Sequence, residues 1–219
     1  MPRPTLTQPA LVEQAKLFAE LQSTLPVPEL FGVTDGKAIG THIERAFKAF
    51  LNKGFLFDGG NAASGLDFPE LNIDLKVTSA QQPQSSSPFR SARQKIFGLG
   101  YSLLIFVYER KDDLASKTAN IEILRTIFVD SSRTADFQLT SGLKSILGNE
   151  GNADDLVAFM RDKNLPVDDI EANNIAAELL GVGTVEIGYL TISNALQWRL
   201  QYSRALDKAG TVSGITRVR

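Results

Sequence analysis

The residues whose types and spacing could do chemistry lie in residues 65–78, whose sequence is GLDFPELNIDLKVT. Alternating apolar residues in 71–78 predict a strand that places Asp74 and Lys76 side by side on the face turned away from the core. The residues predicted to face the core are Ile73, Leu75 and Val77. Asp67 lies on a predicted short strand just before, and a turn at 69–70 would let the two carboxylates meet.

Two acids and a lysine brought together in this way would suit a bound divalent cation, which offsets the repulsion between the acids. The chain has no cysteine and a single histidine, so a metal must be held by oxygen ligands. Asp67, Asp74 and the backbone carbonyl of Leu75 form a partial shell suited to Mg²⁺, for which Mn²⁺ can substitute. Lys76 would hold and polarise an attacking water. These groups match the needs of phosphodiester hydrolysis.

An ordinary ion pair explains the same spacing. An acid and a lysine two residues apart are common on half-exposed strands, where they pair in solvent without any catalytic role. The spacing alone leaves both interpretations open.

The charge distribution permits a nucleic-acid partner in spite of a formal net charge of −2. Residues 150–178 hold eight acidic and two basic residues, so this segment carries −6 and the rest of the chain +4. Basic residues gather after the motif, at Arg90, Arg93 and Lys95. With Gln94 they could contact DNA, although a solvated helix face explains the cluster equally well.

The predicted elements that position these residues are helices and strands in mixed order. Helices are predicted over 9–23, from Ile39 onward, and over 90–99, 137–147, 153–163, 168–180 and 194–209. Strands are predicted over 55–57, 66–68, 71–78, 101–109, 121–130 and 183–192. Residues 81–88, rich in Gln, Ser and Pro, are predicted to be a loop.

This order predicts an α/β (α+β) fold, with a mixed central sheet flanked by helices and a helical C-terminal region. A 219-residue chain that is 43% hydrophobic can bury a substantial core. We expect a core domain from residues 1–136 and 181–219, with residues 137–180 as an acidic helical insertion. No apolar run is long enough to cross a bilayer and no secretory signal is evident, so we expect a cytoplasmic protein without membrane contact.

Asp67 followed by Asp74-Leu75-Lys76 at the end of an apolar strand resembles the signature of the PD-(D/E)xK nuclease superfamily. Leu66 stands where the family has proline, and only six residues separate the two acids, so Glu70 is the alternative to Asp67. The likeness covers residues 40–109, including the loop, helix and hydrophobic strand that follow the motif in restriction endonucleases.

The resemblance implies a restriction-endonuclease-like core and a magnesium-dependent type II restriction enzyme. In it, Asp67, Asp74 and Leu75 would hold the metal and Lys76 would position water. Family members often carry a glutamate on an early helix near the metal, and Glu44 stands in that place. A solvated flank of an amphipathic helix also explains Glu44.

The implied partners are double-stranded DNA, a second copy of the chain in a homodimer, and a cognate DNA methyltransferase encoded with it. Two other functions remain open on the sequence: a repair or recombination nuclease that recognises DNA structure, and a catalytically silent DNA-binding module. The complete set of two acids and lysine favours an enzyme over the silent module.

Overall fold

A computed structural model describes residues 3–60, 65–88, 90–193 and 197–219. The α-helices, numbered in chain order, are α1 Gln8–Gln22, α2 Gly36–Leu51, α3 Gln94–Phe97, α4 Phe137–Gly148, α5 Ala153–Asp162, α6 Asp169–Val182 and α7 Ser203–Lys208. The strands are β1 Pro26–Val27, β2 Ile73–Ser79, β3 Gln84–Pro88, β4 Ser102–Asp113, β5 Thr118–Val129, β6 Thr191–Ile192, β7 Gln197–Gln201 and β8 Ile215–Arg217. Short 3₁₀ helices cover Pro28–Leu30, Pro69–Leu71 and Ser131–Arg133.

The chain divides into two compact units. The first comprises Met1–Pro83, Ser102–Val129 and Lys208–Arg219, and the second comprises Gln84–Tyr101 and Asp130–Asp207. The predicted split into a nuclease core and a helical insertion stays a prediction; the three helices of the predicted insertion, α4 to α6, all belong to the second unit.

The first unit is built on a mixed sheet in the order β1-β5-β4-β2, with β8 pairing on β5. Strand β2 runs parallel to β4, whereas β4 and β5 are antiparallel. In β4, Leu103, Leu104, Ile105 and Phe106 are completely buried, because the strand packs on both faces. This arrangement confirms the predicted mixed sheet flanked by helices and its hydrophobic central strand.

Helices α1 and α2 cover the sheet of the first unit with an aromatic cluster. Phe47 of α2 lies 5.0 Å from Phe18 and 5.2 Å from Phe106 between ring centroids, and 6.3 Å from Phe68. A β-carbon at Gly40 would lie 3.9 Å from Val77, so α2 closely approaches β2. The cluster therefore fixes the helix that carries Glu44 next to the strand that carries Asp74.

The second unit contains α3 to α6, most of α7 and an antiparallel sheet in the order β3-β7-β6. Apolar side chains of α4, α5 and α6 pack together around Leu143, Leu156 and Ile175, each of which is fully buried. The helices begin at side-chain caps; Asn152, for example, accepts the backbone N–H groups of Asp154 and Asp155.

Several predicted elements are wrong. Residues 81–88 are not a loop throughout, because Gln84–Pro88 pairs with β7. The last predicted helix, 194–209, is strand β7 followed by the short helix α7; residues 194–196 lie outside the described residues. The predicted strands 55–57 and 66–68 reduce to isolated bridges at Leu56 and Phe68.

Two further predicted elements are shorter than expected. The helix predicted over residues 90–99 covers only Gln94–Phe97. The strand predicted over residues 183–192 covers only Thr191–Ile192. The described helices include none that is long and apolar enough to cross a membrane.

Candidate active site

The turn between Asp67 and Asp74 explains how six intervening residues suffice to bring the acids together. The chain turns through the 3₁₀ helix Pro69–Leu71, and Asn72 takes a left-handed conformation with φ of 54°. Phe68 and Ile73 then exchange backbone hydrogen bonds of 3.0 and 3.2 Å. Phe68 is buried in the aromatic cluster, so Asp67 is anchored beside the outer edge of β2.

Both oxygens of the Asp67 carboxylate are bound by the protein. Lys48 of α2 donates to Oδ1 over 2.6 Å, and the backbone N–H of Leu75 donates to Oδ2 over 3.0 Å. The Lys48 ammonium also donates to the carbonyl of Gly59 over 2.9 Å. A β-carbon at Gly60 would lie 2.1 Å from the carbonyl oxygen of Leu66, so only glycine fits where this loop meets the motif.

Lys48 is a site residue that the sequence analysis missed. A signal was present, because Glu44 and Lys48 are four residues apart on α2 and therefore share one face of the helix. A helix orientation that directs Glu44 toward the acids directs Lys48 toward them as well.

Asp74 and Lys76 form an ion pair of 2.7 Å in which the side chains are 8% and 21% exposed. The chain contains a natural comparison on β4, where Glu109 and Lys111 have the same spacing and pair over 2.9 Å with exposures of 41% and 70%. Glu109 and Lys111 form the ordinary solvated ion pair that the spacing of an acid and a lysine predicts. The pair of Asp74 and Lys76 is largely buried, unlike an ordinary surface ion pair.

The ionisation of the acids reflects their crowding. Burial raises the pKa of Asp74 to about 6, against the lowering effect of Lys76. Burial also acts to raise the pKa of Asp67, but hydrogen bonds from Lys48 and from the Asp74 carboxyl hold it below its usual value. A hydrogen bond between the two carboxyl groups lowers the pKa of Asp67 and raises that of Asp74, so Asp74 takes up a proton first as the pH falls.

Glu44 belongs to the same electrostatic cluster. Burial raises its pKa, and the charges of Asp67 and Asp74 raise it further, whereas Lys76 and Lys48 lower it. Glu44 is half-buried and is not a fully solvated flank of the helix. The structure therefore brings together Glu44, Asp67, Asp74 and Lys76, which the sequence had singled out.

The carbonyl of Leu75 faces the same edge of β2 as Asp67. In an extended strand the N–H and C=O of one residue point to the same side, as Ile73 demonstrates by bonding Phe68 through both groups. The N–H of Leu75 bonds Asp67, so its carbonyl is directed to that side too.

These groups fit a divalent cation held by oxygen. Two partly buried carboxyl groups lie in hydrogen-bonding contact, and a cation between them would offset the repulsion of their charges. A cavity of about 360 Å³ opens between Lys48, Asp67, Asp74 and three glycines. Among the described residues no three Asp, Glu or His side chains converge on one point, so two carboxylates and the Leu75 carbonyl are the ligand set that the protein offers.

Glu70, the alternative to Asp67, is an exposed residue of the 3₁₀ turn. The groups that determine the pKa of Asp74 are its burial, Lys76 and Asp67. The geometry thus favours Asp67 over Glu70 as the partner of Asp74.

The predicted DNA-binding residues lie in the second unit, in and beside α3. Arg90 is exposed, and Arg93 pairs with Glu171 over 3.1 Å and with Glu178. Gln94 donates to the carbonyl of Leu99 over 3.0 Å. Lys95 is only 5% exposed, and burial lowers the pKa of its ammonium. The four side chains therefore do not form one solvated basic face.

A family model and a curated relative both place the chain among type II restriction enzymes. Residues 5–217 match the family model described as type II restriction enzyme NspV. The type II restriction enzyme NspV of Nostoc sp. is 58% identical over 213 residues, which cover 97% of this chain and 96% of that protein. A solved structure, the tetrameric restriction endonuclease SfiI bound to cognate DNA, is similar with a TM-score of 0.42 and 8% identity, covering 94% of this chain and 79% of that one.

The opposite pKa shifts of the two acids predict opposite effects on stability without metal. Because the fold favours protonated Asp74, Asp74→Asn should raise the melting temperature at pH 8, and the gain should shrink as the pH falls through about 6. Because the fold favours ionised Asp67, Asp67→Asn should lower the melting temperature at pH 8. Thermal melts in excess chelator measure both. A lower melting temperature for Asp74→Asn at pH 8 would contradict this account.

Proposed function

The chain belongs to the NspV family of type II restriction enzymes, and we propose that it hydrolyses both strands of double-stranded DNA in a magnesium-dependent reaction at the pocket of Asp67, Asp74 and Lys76. The observation that carries the proposal is the hydrogen-bonded pair of carboxyl groups beside a lysine that is itself largely buried. Burial of two adjacent carboxyl groups is costly even when each has a lysine partner, and a bound divalent cation would offset that cost.

Mg²⁺, with Mn²⁺ as a substitute, would be held by Asp67, Asp74 and the Leu75 carbonyl. When bound, it supplies positive charge to the phosphate in the transition state and polarises the attacking water. The role of the protein is to hold these oxygens in place: the aromatic cluster anchors Asp67 through Phe68, and strand pairing anchors Asp74.

Lys76 would position the attacking water and contact the phosphate as a compact positive charge. Its ammonium already lies 2.7 Å from Asp74, which lines the cavity. Lys48 would orient Asp67 from the helix side. Glu44, whose pKa is raised, would act behind the metal ligands or hold a second cation.

We propose Arg90, Arg93 and Gln94 as DNA contacts of the second unit. Arg90 is the most accessible of the three, whereas Arg93 must exchange Glu171 and Glu178 for a phosphate. The burial of Lys95 makes it a weaker candidate than the other residues.

The proposed partners follow from the class of enzyme. Cutting both strands at a two-fold symmetric site is commonly done by a homodimer, because the symmetry of the protein then matches that of the DNA. A cognate methyltransferase would protect the sites of the host, and the reaction would take place in the cytoplasm, where host DNA lies.

Replacing Lys76 by alanine should abolish cleavage, by at least about 100-fold, because the water loses its positioning group. DNA binding in calcium and the melting temperature should change little. Lys111→Ala is the matched control, since Lys111 pairs with an acid at the same spacing but on the surface. Wild-type cleavage rates for Lys76→Ala would rule out this active site.

Cleavage should require Mg²⁺ or Mn²⁺ and stop when a chelator is added. Calcium should support binding with little cutting, because its looser shell polarises water weakly. Plasmid cleavage and gel-shift assays in each metal measure the two effects separately. Full activity in excess chelator would exclude a metal-dependent reaction.

Replacing the exposed Arg90 by glutamine should weaken binding to every DNA sequence. If Arg90 contacts one phosphate, the slope of log affinity against log salt should flatten by about 0.9. Lys144→Gln, which removes an exposed charge from α4 in the same unit, should leave the slope unchanged. An unaltered slope for Arg90→Gln would show that Arg90 does not contact a DNA phosphate.

A further inference from the structure

The sheet of the second unit presents a row of polar side chains on one face. In the pairing of β3 with β7, Gln84 lies opposite Gln201 and Ser86 lies opposite Arg199. Residues directly opposite in an antiparallel pair share a face, and so do residues two apart along a strand. Gln84, Ser86, Arg199 and Gln201 therefore form one face, which we call the polar face.

The two faces of β7 differ sharply. Trp198 and Leu200 are fully buried, whereas Arg199 and Gln201 are exposed. Strand β7 lies between β3 and β6, so its side chains occupy the middle of the sheet and not its edge. The buried face fixes the sheet, and the polar face is left toward solvent.

Charge also distinguishes the polar face from the rest of the second unit. The sequence contains no Asp or Glu from residue 75 to 108 or from 187 to 206, the two segments that supply these strands. Residues 150–178 of the same unit carry a net charge of −6. A surface without carboxylates approaches DNA more readily, because phosphate repels negative charge.

The backbone of Arg199 is hydrogen-bonded to Ser193, whereas its side chain is exposed. Its N–H donates to the hydroxyl of Ser193 over 3.0 Å, and its carbonyl accepts the N–H of Ser193 over 3.1 Å. Within the described part of the chain its guanidinium makes no hydrogen bond or ion pair. An exposed guanidinium on a fixed backbone is suited to bidentate recognition.

We propose that the polar face enters the major groove of the target DNA and reads its base edges. Arginine pairs bidentately with guanine and glutamine with adenine, and the major groove admits a β-ribbon. Neighbouring strands lie about 4.8 Å apart and residues i and i+2 about 6.8 Å apart, which brings such side chains to nearby base pairs. Arg199 reads a guanine, and Gln201 reads an adenine beside it.

This inference deepens the restriction function and is independent of the proposed metal ligands. It is tested by binding alone, in calcium at fixed salt, after the ends of a wild-type plasmid digest have defined the recognition site. If the wild type does not cut, the catalytic proposal fails; gel-shift selection from random duplexes then defines the site for the binding test.

The test uses duplexes in which each guanine or adenine of the site is replaced, one at a time, by its 7-deaza analogue. The analogue lacks the N7 acceptor in the major groove but keeps base pairing. Wild-type protein should lose affinity at each purine that it contacts through N7. Arg199→Ala should bind the unmodified site about 5- to 150-fold more weakly, and the penalty at one guanine should disappear.

Gln201→Ala should lose the penalty at one adenine in the same way. Arg217→Ala is the matched control, because Arg217 is an exposed arginine on a strand of the first unit, and it should keep every penalty. Arg199→Lys keeps the charge and can still donate to guanine N7, so it should keep part of the guanine penalty and guards against a fold defect in Arg199→Ala. If both alanine variants keep all penalties, or weaken cognate and random duplexes equally, the proposal is overturned.

Discussion

Two carboxylates of like charge lie in contact in a partly buried pocket, and the architecture of the first unit serves to keep them there. Left to themselves, Asp67 and Asp74 would separate into water. The burial of Phe68 and its backbone pairing with Ile73 prevent this for Asp67. The parallel pairing of β2 with the buried strand β4 prevents it for Asp74.

Two lysines on different elements stabilise the pair of acids. Lys48 reaches Asp67 from α2, and Lys76 reaches Asp74 from its own strand, so each acid has one cation within hydrogen-bonding distance. The charges of the pocket are thereby nearly balanced without a metal. A divalent cation would then bind in a site whose ligands are already positioned, which is the condition for fast chemistry at a phosphate.

Sequence periodicity predicted the strands β2 and β4 because their signals are local. The alternation around Asp74 and Lys76 and the unbroken apolar run of β4 each determine a strand without reference to distant residues. Lys48 was missed because its role depends on where α2 packs. The ion pairs of Arg93 were not predicted because its partners, Glu171 and Glu178, lie far along the chain.

Strands β3 and β7 show why the sheet of the second unit could not be predicted from the sequence. Residues 84–88 are polar and give no apolar alternation, while Trp198 and Tyr202, four residues apart, fit a helix as well as the alternation of β7 fits a strand. Their pairing joins residues more than one hundred positions apart, for example Gln84 and Gln201. Such a non-local contact outweighs a weak local preference and cannot be read from either segment alone.

A titration of metal-free protein with Mn²⁺, followed by electron paramagnetic resonance, tests whether the carboxylate pair is the metal site. Glu109→Gln, which removes the acid of the surface pair, should bind Mn²⁺ as the wild type does. Asp74→Asn, which removes one carboxylate of the buried pair while keeping its shape, should lose the site. Equal binding of Mn²⁺ by Asp74→Asn and the wild type would contradict the account.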